Sequence, residues 1–377
     1  MGKNVTFLIG NGFDLKVGLK TRYTDFYQIY TQENKDDNTI IKKFKKEILK
    51  SETDGWKNWV DFELGMGQQS KLFVGEKPAD DFITCFNDFV VSFNKYLTNE
   101  CEAINWDAVD ANICNKFISS VTQFYVYTKS VLSNNIRGLI HHSIIGEESK
   151  LNFIQFNYTN AFDELIKKSN LSPSLFAMQN DSSGNSLNKL GLNLHVHGEI
   201  NGGHPTIGVN DESQITNETI RNDPRIGQIF IKPKFLDTLQ NNNVNQNIPR
   251  TDALKAINES TIICTFGVSI GASDKYWWEK IGKWLMNSGG VLIIFDICGG
   301  KDDGISPSAF LNRTMSMVTL KREITNRFTH LANINSEWIN KNPNKIIVEL
   351  DSDMFSFKLP KNENSNEKDL TIRQIAI

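Results

Sequence analysis

Asn4-Val5-Thr6-Phe7-Leu8-Ile9-Gly10-Asn11-Gly12-Phe13-Asp14 decides the fold. An apolar run over Val5–Ile9 has no polar face, which suits a strand covered on both sides. It breaks at Gly-x-Gly, where glycines let a backbone turn sharply and approach a ligand closely. A first strand running into such a turn and then a helix is where α/β folds hold phosphates. The full Gly-x-Gly-x-x-Gly pattern is absent, because Leu15 occupies the last glycine place. The turn can therefore be a nucleotide site or a tight strand–helix connection. Asp14 can bind a ribose hydroxyl or cap a helix.

Five further apolar runs resemble the first: Leu151–Phe156, Leu192–Val196, Ile262–Phe266, Val291–Phe295 and Ile346–Leu350. Helical patterns lie between several of them. Together they predict a Rossmann-like, doubly wound α/β fold with a mainly parallel sheet. Residues 22–148 carry no strand pattern. Aromatic stripes at helical spacing run through this stretch instead: Tyr23, Phe26, Tyr27 and Tyr30; Phe82, Phe86, Phe89, Val90 and Phe93; and, with some slippage, Phe117, Val121, Phe124, Tyr125 and Val131. They predict a large helical insertion after the first strand. The core is then expected over 1–21 and 149–360, the insertion over 22–148, and a polar tail over 361–377. Loops are expected at 178–190 and 240–249.

Composition narrows the function classes. The 377 residues, 39% hydrophobic and 23% charged, describe a folded globular chain. A net charge of −3 supplies no basic field, so nucleic acid is not expected as a partner. The run Lys42, Lys43, Lys45, Lys46 and Lys50 reads as a solvated helix face. No stretch approaches the roughly 20 apolar residues of a membrane span, and no secretory leader is visible, so a cytoplasmic location away from membranes is expected. The five cysteines, Cys85, Cys101, Cys114, Cys264 and Cys298, include no Cys-x-x-Cys pair, so no structural metal is expected.

Three more polar breaks follow apolar runs. Asn157-Tyr158-Thr159-Asn160 follows Phe156; Asn157 can orient a ribose or a water, or cap a helix over Ala161–Lys168. In Leu194-His195-Val196-His197-Gly198 the two histidines share a strand face by alternation. His197, followed by glycine, is the better general-base candidate, and His195 reads as a hydrogen-bonded strand histidine. A metal on this pair would have only His204 and Asp211 nearby as further ligands. Gly267-Val268-Ser269 follows Phe266, with Asp274 as the expected cap of a helix bearing Tyr276, Trp277, Ile281 and Trp284. Each break is weak alone, but a parallel sheet brings all four to one edge.

Here a family resemblance appears. Ile9-Gly10-Asn11-Gly12-Phe13-Asp14-Leu15, Gly18-Leu19-Lys20-Thr21 and Tyr23-Thr24-Asp25-Phe26 resemble the N-terminal signature of AbiH proteins. Trp59-Val60-Asp61-Phe62-Glu63, Phe156-Asn157-Tyr158-Thr159, His197-Gly198 and Gly267-Val268-Ser269 continue the pattern, from about residue 5 to 290. The resemblance implies a role in abortive infection, with a phage-derived trigger and a homo-oligomer as expected partners. The motif order also resembles that of sirtuin-like NAD-binding proteins. That second resemblance implies NAD as substrate or ligand and no metal. It places Asn157 and His197 as catalytic residues and Gly10, Asn11, Gly12, Phe13, Asp14, Tyr158, Thr159, Gly198, Gly267 and Ser269 around the cofactor. Phe156 and Asn11 depart from the sirtuin pattern, and the sirtuin zinc cysteines are missing, which argues against a deacetylase. The implied reaction is hydrolysis of the nicotinamide–ribose bond. Two alternatives stay open: a nucleotide sensor without catalysis, and a nuclease using Asp61, Glu63 and Asp211 to hold a metal.

Overall fold

The computed structural model describes residues 3–32, 38–54, 59, 61–128, 138, 149–169, 188–200, 205–234, 250–296 and 307–362. Its centre is a six-stranded, wholly parallel sheet. The strands are β1 (Lys3–Ile9), β2 (Ser149–Gln155), β3 (Asn188–His195), β4 (Ser260–Phe266), β5 (Val291–Asp296) and β6 (Ile346–Leu350). They lie in the order β3-β2-β1-β4-β5-β6, the order of dinucleotide-binding folds. The order reverses between β1 and β4, and open α/β sheets bind ligands beyond the strand ends at such a point.

The sheet is covered on both faces, as the unbroken apolar runs require. Alternate residues enter opposite cores. Val5, Phe7 and Ile9 of β1 pack with Cys264, Ile293, Phe117 and Phe162. Leu8 packs with Ile263, Leu292, Trp278 and Phe328 on the other face. Phe7 stands edge-on to Phe124 at 5.4 Å and beside Phe153 at 5.5 Å. Burying a side chain of this size contributes roughly 1.5–3 kcal/mol.

The helices are α1 (Gly12–Val17), α2 (Tyr23–Tyr30), α3 (Thr39–Lys50), α4 (Phe62–Gln68), α5 (Pro78–Glu102), α6 (Ala111–Thr122), α7 (Ala161–Lys168), α8 (Glu218–Arg221), α9 (Pro224–Ile229), α10 (Arg250–Asn258), α11 (Lys275–Ser288), α12 (Pro307–Leu331) and α13 (Ser336–Lys341). The expected stripes of α2 and α5 meet in an aromatic core with Trp59, Phe62 and, from farther along the chain, Val209, Phe230 and Ile231. Phe62 and Phe89 stack there at 3.4 Å. The third stripe behaves differently. Phe117, Val121 and Phe124 pack on the sheet, α6 ends at Thr122, and Phe124–Tyr127 form a separate 3-10 turn. Val131 lies outside the described residues.

Several expectations change in detail. β3 begins at Asn188, inside the loop expected over 178–190, and 178–187 lie outside the described residues. As an edge strand β3 keeps polar residues such as Asn188, Lys189 and Asn193, which hid its first half. The loop expected at 240–249, His204 and Cys298 lie outside the described residues, as does the tail beyond residue 362. Lys45 is not part of a solvated face: it is buried, with its ammonium 4.5 Å above the Tyr30 ring. Cys85, Cys101, Cys114 and Cys264 are free thiols. Among the described residues no helix is long and apolar enough to cross a membrane.

Candidate functional site

Parallel pairing continues one step beyond the strands and fixes the loops that follow them. Phe156 donates to the Ile9 carbonyl at 2.8 Å, Val196 to Gln155 at 3.0 Å, Gly10 to Phe266 at 3.0 Å and Gly267 to Phe295 at 3.1 Å. The breaks after β1, β2, β3 and β4 therefore line one edge of the sheet. There they border a cavity of about 130 Å³. Gly10, Asn11, Asp14, Asn157, Tyr158, Thr159, His197, Val268, Ser269 and Asp274 line it from the sheet side. Tyr23, Glu63, Phe93 and Leu97 close it from the helical layer, and Lys232 completes the wall.

Of the residues expected around a cofactor, Gly12, Phe13, Gly198 and Gly267 do not line the cavity. Gly12 and Gly267 serve each other. A Cβ on Gly267 would fall 2.4 Å from the Gly12 Cα, and the Gly12 N–H donates to the Gly267 carbonyl at 2.8 Å. The Gly10 and Gly12 amides are thus engaged by the β4 end rather than free for a diphosphate. Gly198, directly after His197, has φ 73°, a left-handed backbone that glycine adopts readily. Phe13 is core, edge-on to Phe162 at 5.0 Å. Both ends of the Asn11 amide are held by Thr21: Nδ2 donates to its carbonyl at 3.1 Å, and its hydroxyl donates to Oδ1.

Asp14 lies in the first turn of α1, and its carboxylate turns inward, away from any capping role. Its Oδ1 accepts from Asn157 Nδ2 at 3.1 Å and its Oδ2 from Thr159 Oγ1 at 2.8 Å. Burial pushes the Asp14 carboxyl up to about 7, against both hydrogen bonds. Asn157 Oδ1 is buried and has no hydrogen-bond partner.

His195 and His197 part company because β3 ends at His195 and alternation stops there. His195 Nδ1 donates to the Asn157 carbonyl at 3.1 Å and Nε2 lies 3.0 Å from Asp163 Oδ2. The Asp163 contact raises the His195 pKa although burial opposes it. His197 instead lies edge-on to Phe156 at 4.9 Å. Its buried Nε2 is 3.1 Å from Asp274 Oδ1, a contact that becomes an ion pair when the ring is protonated. Burial, and then the nearby Lys232 charge, lower the His197 pKa and keep the ring neutral near pH 7.

Three residues matter more than the sequence suggested. Lys232 Nζ lies 2.8 Å from Glu63 Oε2 and 2.8 Å from Asp274 Oδ1. Asp274 precedes α11 but makes no capping bond; its carboxylate belongs to this ion cluster, where Lys232 and then His197 hold it well below the usual range against the effect of burial. Glu63 is not a surface residue. Its Oε1 accepts from Gly208 N at 3.2 Å and Tyr158 Oη at 3.3 Å, and burial pushes it up to about 7 against the pull of Lys232. A lysine closing the run Phe230-Ile231-Lys232 was the only signal, and nothing nearby in sequence names its partners.

The carboxylates of the nuclease alternative are not assembled. Asp61 caps α4 through Leu64 N at 3.1 Å, Glu63 holds Lys232, and Asp211 caps the 3-10 turn Glu212–Gln214 through Ser213 N. The Lys232 ammonium occupies the place between Glu63 and Asp274 that a cation would take. Among the described residues no group of three or more His, Cys, Asp or Glu side chains could hold a metal ion.

Among known protein families, the one described as bacteriophage abortive infection AbiH matches residues 6–295. No curated protein matches the chain.

Proposed function

The chain belongs to the AbiH family of bacteriophage abortive-infection proteins, and from that premise we propose that it acts in defence by hydrolysing NAD at the nicotinamide–ribose bond. One observation carries the reading. Asn157 Oδ1, buried and without a hydrogen-bond partner, and His197 Nε2, beside the Asp274 carboxylate, belong to residues lining one cavity at the sheet's switch point. Buried polar atoms are normally partnered, and exceptions in a cavity mark where a ligand or water is handled.

The chemistry suits these atoms. When the bond breaks, its electron pair leaves with nicotinamide and positive charge builds on the ribose. Water adds to the ribose carbon and loses a proton. Asn157 Oδ1 accepts a hydrogen bond from that water or from a ribose hydroxyl. Neutral His197 takes the proton at Nε2, beside the Asp274 carboxylate that steadies the resulting imidazolium. Among the described residues lining the cavity, Lys232 is the one lysine or arginine, and its charge is already engaged by Glu63 and Asp274. The lining therefore offers little to a phosphate and suits a developing cation better. The cavity is small beside the ~300–1,000 Å³ of common ligand sites.

The test is nicotinamide release from NAD by the purified full-length chain, with and without lysate from infected cells. Wild type is expected to turn over NAD, with Asn157→Ala and His197→Ala each losing roughly 100-fold or more in kcat. Unchanged turnover in a folded His197→Ala protein, or no release by wild type under either condition, would overturn the reading. Without release, the second result would leave a nucleotide-binding sensor, a role the unpartnered Asn157 oxygen also fits.

A further inference from the structure

We propose that Asp14 is the positioning residue of this site: its carboxylate fixes which end of the Asn157 amide faces the cavity. The proposal builds on the reading above, in which the free Asn157 oxygen does the work.

A primary amide offers a donor end and an acceptor end, and its neighbours decide which way it turns. An ionised carboxylate only accepts. Facing Asp14, Asn157 can present only its NH2, and Nδ2 lies 3.1 Å from Asp14 Oδ1. The other carboxylate oxygen is filled by Thr159 Oγ1 at 2.8 Å, so the carboxylate is held from two sides. Asn157 Oδ1 is thereby directed away from Asp14 as an unpartnered acceptor. The backbone of Asn157 is fixed separately, by His195 Nδ1 on its carbonyl. The amide is left with one freedom, rotation about its last bond, and Asp14 decides it.

Protonation reverses the logic. A neutral carboxyl has an O–H to donate, and Asn157 Oδ1 can accept it after the amide flips. The NH2 then faces the cavity and the acceptor is gone. Asp14 is buried and titrates at about 7, so the flip falls in an accessible range. The groups that act on it are few. Asn157 and Thr159 bond it from the β2 end. The His195–Asp163 pair acts through charge from β3 and α7. Cys101, at the end of α5, has its thiol pushed up to about 12 by burial and stays neutral. Above pH 7 the acceptor faces the cavity; below pH 7 it is withdrawn.

The experiment uses the full-length chain as wild type, Asp14→Asn and Asn157→Ala, with two readouts. The first is NAD turnover from pH 5.5 to 9. Wild-type kcat is expected to fall as pH drops through about 7. Asp14→Asn is expected to keep only the shallower fall set by Glu63 and the base His197, with kcat lowered about 10- to 100-fold and KM little changed. The second readout needs no activity: the side-chain amide NMR signals of Asn157, assigned by their loss in Asn157→Ala. In wild type they are expected to titrate near pH 7, and in Asp14→Asn to stay constant. An amide signal that does not respond to pH in wild type, or one that still titrates in Asp14→Asn, would overturn the proposal. If wild type turns over no NAD while the amide titrates and Asp14→Asn abolishes the titration, the hydrolase reading fails and the role of Asp14 stands. Should Asp14→Asn fail to fold, the wild-type titration decides.

Discussion

Lys232 shows how much can depend on one side chain that no local pattern announces. Its ammonium joins Glu63 of α4 to Asp274 before α11, and all three side chains are nearly inaccessible. Removing one partner from a buried ion cluster strands the others. Lys232→Met is therefore expected to lose about 3–5 kcal/mol of stability, measured by urea unfolding. Lys232→Met with Glu63→Gln, which removes one stranded charge, is expected to recover part of it. Asp14 gives a second stability prediction. Its folded pKa, about 7, is raised above the ordinary value of 3.8, so the native state binds the proton more tightly than the unfolded chain. Stability from this group is fully present below pH 4 and declines as pH rises to about 7. Asp14→Asn is expected to remove that decline, so that its advantage over wild type is larger at pH 8 than at pH 5 by on the order of 3 kcal/mol, read from unfolding curves at the two pH values. At this scale the sequence exposed Asn157 and His197, because each interrupts the chain just past an apolar run. It hid Lys232, Glu63 and Asp274, whose meaning lies in partners 169 and 42 positions apart along the chain.

The element that carries the site is the seam between the loops after β1 and β4. Gly-Asn-Gly after an apolar run was legible as a turn that permits close approach, but what approaches is the second glycine loop. Two backbones meet at Gly12 and Gly267, where no Cβ fits. Gly267→Ala would place a methyl 2.4 Å from the Gly12 Cα on a residue with φ 60°. It is expected to cost ~2–5 kcal/mol, read by urea unfolding. Gly289→Ala is the control: its φ is 69°, nothing lies within 4 Å of the new methyl, and only the backbone strain of about 1 kcal/mol should appear. Equal losses in the two variants would show that the seam contributes nothing beyond backbone strain. The aromatic elements were legible as helices by their spacing. Their destination was not, since a stripe says that a face is buried and not against what. α2 and α5 face one another, whereas Phe117 and Phe124 face the sheet.

Over the whole molecule, the parallel sheet followed from two-sided apolar runs, because only strands covered on both faces lack a polar side. The strand order could not be read from those runs, because periodicity carries no information about neighbours. The cavity is walled by both layers: the strand ends on one side and Tyr23, Glu63, Phe93 and Leu97 on the other. A ligand bound there should slow amide exchange in Tyr23–Tyr30 and Phe62–Gln68 as well as in the loop after β1, measured by hydrogen–deuterium exchange with NAD present. Protection confined to the sheet side would show that the helical layer is not part of the binding site. The position of β1 has one more consequence, which concerns protein synthesis. β1 is translated first yet sits between β2 and β4, whose residues Ser149 and Ser260 come much later in the chain. At ~5–20 residues per second, the ribosome needs on the order of 10–50 s to supply the second neighbour. Through that interval an apolar strand is unpaired on at least one side and is a natural client for chaperones. No nascent chain that stops short of Asp274 can assemble the cavity, so whatever the site does is withheld until that residue has been made.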